Sequence, residues 1–242
     1  VLAFIVTKPQ VGPYEELGIV VALAVGLSLI GLVDDVRQVP PSWHVGAEIA
    51  AAALVWSTGS GVIATSSELV NLCLTVLWFF VVTNAFRFLD NTDGVAAGLT
   101  VTTCLTLFAI GSASGQFIVA ALSIGLAGSA SGFLGYNRHP ARVRMGDCGA
   151  RFVGFLIAYL AIISYPAAPR GMKALLGVAV CSYALLDTSL VVITRLSAGN
   201  SRFRGGTGNI SDRLLGLGLP VPTAAKVTYV VATIIGILSF MI

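Results

Sequence analysis

Six of the eleven carboxylates in this 242-residue chain fall in four short motifs whose composition suits phosphate or metal chemistry. In Gly31-Leu32-Val33-Asp34-Asp35-Val36-Arg37, two neighbouring aspartates end an apolar run. At a helix C-terminus the macrodipole is already negative, so the pair invites a bound cation or a basic partner, and a solvated helix end anchored by Arg37 is the plainer alternative. In Asn84 through Gly94, Asp90 and Asp93 stand three apart, which places them on one face of a helical turn, and Asn84 and Asn91 add neutral oxygens. That donor set suits a hard ion such as magnesium, although Asp before Gly is also a common helix cap. The third motif, Gly135 through Ala150, sets Asn137 and Asp147 among Arg138, His139, Arg142 and Arg144. Arginine forks and glycine-exposed amides make an anion site there, and a basic loop attracting lipid headgroups is the competing reading. Asp187, in Leu186-Asp187-Thr188, lies about two turns inside an apolar helix, where a carboxylate suggests function. Glu48, beside His44, reads as a helix-end charge.

Such motifs need elements to hold them, and the composition says what those are. Hydrophobic residues make up 56% of the chain and charged residues only 10%, against roughly 25% charged in soluble domains. With a mean hydropathy of +0.92, this excludes a soluble enzyme, a disordered linker and a secreted disulfide scaffold. The expected fold is all-α, a polytopic membrane bundle of about eight spans. These lie near Leu17–Val33, Ala47–Ile63, Leu69–Thr83, Val95–Ile110, Phe117–Leu134, Phe152–Ser164, Ala174–Thr194 and Val221–Ile242. Val1–Val6 is too short for a span or signal peptide, and the chain reads as starting inside a helix.

If all eight cross, Arg37, Arg87, Arg138, Arg142, Arg144, Arg151, Arg195, Arg202, Arg204 and Arg213 share one side, opposed by Lys8, Arg170 and Lys173. The positive-inside rule makes that side cytoplasmic, so the aspartate motifs face the cytoplasm. A net charge of +3 is too small to imply a nucleic-acid partner. Cys73, Cys104, Cys148 and Cys181 are widely separated and read as ordinary buried thiols. The glycine-rich stretch Ser197–Leu219, carrying Arg202, Arg204 and Arg213, fits either a substrate-covering loop or a connector.

In order and spacing these motifs resemble the polyprenyl-phosphate N-acetylhexosamine-1-phosphate transferases over about Gly31–Leu219. The aspartate pair, the Asp90-x-x-Asp93-Gly94 segment, and Asn137-x-x-Pro140-Ala141 with Met145-Gly146-Asp147-x-Gly149 carry the likeness. Leu186-Asp187-Thr188 followed by Arg195 is similar to the branch that uses UDP-N-acetylglucosamine.

The resemblance implies transfer of a sugar 1-phosphate from a UDP-N-acetylhexosamine to a polyprenyl phosphate, releasing UMP, at the bacterial plasma membrane. It implies magnesium, with manganese as the alternative, held by Asp147 and Asp93, and catalytic roles for Asp34, Asp35 and Asp93. Asn84, Asp90, Asn137, Asp187, Arg202, Arg204 and Arg213 would bind substrate. The whole chain, 1–242, reads as a single transferase-like domain without the family's N-terminal helix, with a homodimer as one assembly open to it.

The chain also departs from the pattern. Gly208-Asn209-Ile210-Ser211-Asp212-Arg213-Leu214 stands where the family's last loop carries two histidines, Arg87 replaces an expected asparagine, and Ala150 an expected serine. A silent member that binds polyprenyl phosphate or a membrane partner is therefore the alternative function. A transporter is weaker, because only Asp187 approaches midplane depth.

Overall fold

A computed structural model describes residues 12–166, 168–169, 171–197 and 208–241, the side chains of Arg195 and Ser197 excepted. Arg202 and Arg204 therefore lie outside the described residues. The described residues are helical with no strand: α1 (Pro13–Val36), α2 (Pro41–Ser57), α3 (Glu68–Leu89), α4 (Val95–Ala113), α5 (Phe117–Asn137), α6 (Gly146–Ile163), α7 (Met172–Ser197), α8 (Ile210–Gly216) and α9 (Val221–Met241). Among them seven are long and apolar enough to cross a membrane, so the protein is a multi-pass membrane protein. The expected segment Ala47–Ile63 instead ends at Ser57 as the 17-residue α2. Residues 58–67 beyond it are held by the Asn71 side chain, which accepts from the Ala64 and Thr65 N–H groups and donates to the Thr65 carbonyl.

The chain divides into two compact units. The first comprises residues up to Asn84 together with Gly146–Gly177, and the second Ala85–Met145 with the residues from Val178 onward.

In the first unit α6 is the core element. Phe155 through Ile162 are buried without a break, as expected of a helix apolar on every side. It packs against α1 at Gly31, where an added Cβ would come within 2.7 Å of the Asp147 backbone. Small residues permit such close approach between membrane helices. Phe79 of α3 meets Phe155 with ring centroids 4.8 Å apart, and Trp78 donates its Nε1–H to the Ala158 carbonyl at 2.9 Å.

In the second unit α4 is central and packs against α5 and α9. Gly98 accommodates the Tyr229 ring of α9, and the Tyr229 hydroxyl donates to the Gly94 carbonyl at 2.7 Å, fixing the start of α4.

Of the four cysteines, Cys104 and Cys181 are buried as expected; Cys73 is exposed and Cys148 intermediate, because Cys148 sits in the open first turn of α6.

Candidate active site

The acidic motifs form a cluster in each unit. In the first, Asp34 and Asp35 occupy the last turn of α1 as the sequence indicates. Their unfavourable dipole position is relieved mainly by backbone. Asp35 Oδ1 accepts the Asp147 N–H at 3.1 Å and Oδ2 the Cys148 N–H at 3.2 Å, so the carboxylate caps the N-terminus of α6. The positive end of one helix thereby compensates the negative end of another. Gly146, at φ +67, allows the approach, since a Cβ there would stand 2.7 Å from Asp35 Oδ2. Asp34 Oδ1 accepts the Val39 N–H at 2.7 Å, and Oδ2 lies 3.2 Å from His44 Nε2, an ion-pair distance when the imidazole is protonated.

Two expectations are corrected in this cluster. Gly146–Arg151 is the first turn and a half of α6 rather than loop, which puts Asp147 at a helix N-terminus and buries Arg151. Glu48 is not a solvated helix-end charge. It is 2% exposed and ion-paired to the Arg151 Nη1. Arg151 Nη2 donates to Asp147 Oδ2 at 3.1 Å, one turn back on the same helix. Asn84 Nδ2 donates to the other oxygen of Glu48 at 2.7 Å and to the Phe80 carbonyl. Sequence reasoning missed this buried chain of Asn84, Glu48, Arg151 and Asp147. A helical i, i+4 pairing of Asp147 with Arg151 was the signal that could have found its second half.

In the second unit Asp90 and Asp93 do not share a helical turn, because 90–94 is a turn that breaks before α4. Nor does Asp93 cap α4, whose N-cap is Gly94 at φ 80. Its Oδ2 instead accepts the Ala141 N–H at 3.1 Å and lies 2.9 Å from His139 Nδ1. Burial opposes ionisation of Asp93, but the bonds to His139 and Ala141 and the positive charges of His139 and Arg144 outweigh it and hold the carboxyl below its ordinary value. Asn137, 2% exposed, accepts the Gly94 N–H with Oδ1 and donates to the Val143 carbonyl with Nδ2. Asp93 and Asn137 thus pin the basic loop 138–144, in which the side chains of Arg138, Arg142 and Arg144 are exposed. Arg144 also reaches the Asp90 carbonyl at 3.4 Å. Asn91, by contrast, spends its amide locally on the Phe88 carbonyl.

Because the folded value is depressed, the contribution of Asp93 to holding this loop is complete above the ordinary carboxylate range. It is lost only as pH falls through the depressed value. At neutral pH, Asp93→Ala should therefore raise the rate of tryptic cleavage at Arg138, Arg142 and Arg144 by about tenfold, since a charged acceptor contributes roughly 1.5 kcal/mol or more. Unchanged cleavage kinetics would show that the loop is held by other contacts.

Asp187 is fully buried and accepts the Ile210 N–H at 2.7 Å. The expected loop is partly helical here: Asn209 caps α8 by accepting the Asp212 N–H, and Asp212 accepts the Gly208 N–H. The two residues that stand in place of histidines thus order the chain locally. Exposed Arg213 bonds to the Gly208 carbonyl and Thr194 Oγ1. Among the described residues no group of three or more His, Cys, Asp or Glu side chains is arranged to hold a metal ion.

The molecule is a multi-pass helical membrane protein whose acidic helix ends and basic loop form polar clusters. It belongs to glycosyl transferase family 4, whose model matches residues 17–165. Decaprenyl-phosphate N-acetylglucosaminephosphotransferase of Mycobacterium leprae is 33% identical over 78% of this chain and 55% of its own length. The Mycobacterium tuberculosis protein of the same name is 31% identical, over 87% of the chain and 59% of its own length. Phospho-N-acetylmuramoyl-pentapeptide-transferase of Heliobacterium modesticaldum is 30% identical over 67% of the chain and 59% of its own. The chain spans between about half and two thirds of the length of the curated relatives it matches.

Proposed function

We propose that this protein transfers a sugar 1-phosphate, N-acetylglucosamine 1-phosphate as the leading candidate, from a UDP-sugar to a polyprenyl phosphate. The observation that carries the reading is the docking of Asp35 onto the backbone of Asp147, two acidic motifs more than a hundred residues apart, in a chain of this family. Relatives named for decaprenyl phosphate and N-acetylglucosamine support the acceptor and the sugar. Asn209 and Asp212 have local structural roles that hold whether or not the chain is active, so their presence does not favour the silent-member alternative.

In this reaction a phosphate oxygen of the lipid attacks the phosphorus that bears the sugar, a bond forms there, and the bond to the uridine-side phosphate breaks as UMP leaves with its electrons. Phosphoryl transfer of this kind needs positioning and charge neutralisation more than covalent help from the protein. Magnesium, or manganese, would neutralise the donor diphosphate. Such an ion takes one or two carboxylates and completes its shell with water and phosphate oxygens, so the hard oxygen donor Asp147 fits it without a fuller protein cage. The Asp34 and Asp35 pair, fixed by His44 and by the α6 amides, would orient the lipid phosphate from the neighbouring helix end. In the second unit, the exposed arginines of loop 138–144 are forks suited to phosphate oxygens. Lipid-facing apolar helices receive the polyprenyl tail, and the arginine-rich loops face the cytoplasm, where UDP-sugars are made.

Purified protein in detergent or nanodiscs, given UDP-N-acetylglucosamine, undecaprenyl phosphate and magnesium, is expected to release UMP and form a diphosphate-linked lipid. Folded protein that releases no UMP with any UDP-N-acetylhexosamine, with either ion, would refute the proposal.

A further inference from the structure

Arg151 is the largest fully buried side chain among the described residues, and a buried arginine beside a carboxylate assigned to a metal is a liability. It donates to Asp147 Oδ2, and a positive charge held there in a low-dielectric interior opposes the approach of a divalent cation. The same guanidinium is ion-paired through its other terminal nitrogen to Glu48, whose second oxygen is fixed by Asn84. Counting formal charges, Glu48 cancels Arg151 and leaves the Asp147 carboxylate its full negative charge. The other acidic groups of this cluster are Asp35, on the α6 amides, and Asp34, beside His44.

We propose that Glu48 is a positioning residue that sets the charge of the site: by neutralising Arg151 from α2, it keeps the buried guanidinium from suppressing cation binding at Asp147. The proposal rests on the assignment of magnesium or manganese to Asp147. The geometry supports it in two ways. Glu48 and Arg151 are each almost wholly buried, a costly arrangement that a lipid-facing or solvated role does not explain. And Asn84, Glu48 and Arg151 come from three helices and end on one carboxylate oxygen.

The test is manganese binding to the purified full chain, followed by the electron paramagnetic resonance signal of free Mn2+, without substrate. Glu48→Gln preserves size and, with its carbonyl toward Asn84, that bond, but it turns its N–H2 toward Arg151 and leaves the guanidinium charge facing Asp147 uncompensated, and affinity should fall by about tenfold or more. Glu48→Asp, which keeps the charge, should retain affinity within about threefold. The double variant Glu48→Gln with Arg151→Met removes both charges, and affinity should return to near the wild-type value, a rescue that a purely structural ion pair would not give. Should Glu48→Gln alone not fold, the double variant still decides, because replacing a buried pair by uncharged groups of similar size is commonly tolerated. Wild-type affinity in folded Glu48→Gln, or weak binding in the folded double variant, would overturn the proposal. Wild-type protein that binds no manganese, or binding that survives Asp147→Asn, would remove the metal assignment and this inference with it. Binding that Asp147→Asn abolishes upholds the assignment and leaves the Glu48 comparison to decide alone.

Discussion

Asp147→Asn is expected to reduce UMP release by at least about a hundredfold, the loss typical of deleting one preorganised charge-stabilising group, while leaving the melting temperature nearly unchanged. The fold should tolerate the change because the asparagine carbonyl still accepts from Arg151 and because the principal counter-charge of Arg151 is Glu48. Asp35→Asn should behave differently. Both Asp35 oxygens accept N–H groups of α6, so an amide there sets one N–H2 against a backbone donor. Asp35→Asn should therefore lower both transfer and the melting temperature, as expected when a helix N-terminus loses its capping acceptor. The two variants, assayed side by side by UMP release and thermal unfolding in detergent, separate the reactive role of one aspartate from the capping role of the other. Equal melting losses would contradict the cap, and an active Asp147→Asn would contradict the site.

The second large effect is expected at Gly31. A Cβ there would lie 2.7 Å from the Asp147 carbonyl carbon and oxygen and from the Cys148 nitrogen. These are backbone atoms and cannot swing aside as a flexible side chain can, so α1 and α6 must separate by several tenths of an ångström. Gly31→Ala should thus cost about 1–3 kcal/mol, the usual range for overpacking. It should also break the Asp35 bonds to α6, which stand at 3.1 and 3.2 Å and cannot lengthen much before they fail. Transfer should fall with the melting temperature. Gly18→Ala and Gly26→Ala on the same helix are internal controls, since nothing lies within 4 Å of a Cβ at either position. A Gly31→Ala protein as stable as these controls would mean that the α1–α6 approach is looser than described.

Much of this protein is set by its sequence alone. Long apolar runs dictate membrane-spanning helices, because in lipid the backbone can satisfy its hydrogen bonds only within such elements. Ordered aspartate motifs at the ends of those runs mark the helix termini that carry the polar chemistry. Thus Asp34 and Asp35 at the end of α1, and the basic loop around Arg142, follow from composition and spacing. What pairs with what does not follow. Asp93 reads equally well from sequence as a cap or a metal ligand, and only the folded chain delivers the Ala141 amide and His139 to it. Asn209 and Asp212 read as lost phosphate ligands until the first turn of α8 shows them serving their own backbone. The extreme case is Arg151, which sequence reasoning leaves in a cytoplasmic loop and the structure buries. A charge survives in that interior only if partners surround it, and its partners, Glu48 and Asp147, come from positions 103 residues apart and one helical turn away. Local pattern cannot encode the first of those contacts, because it exists only when α2 and α6 are brought side by side.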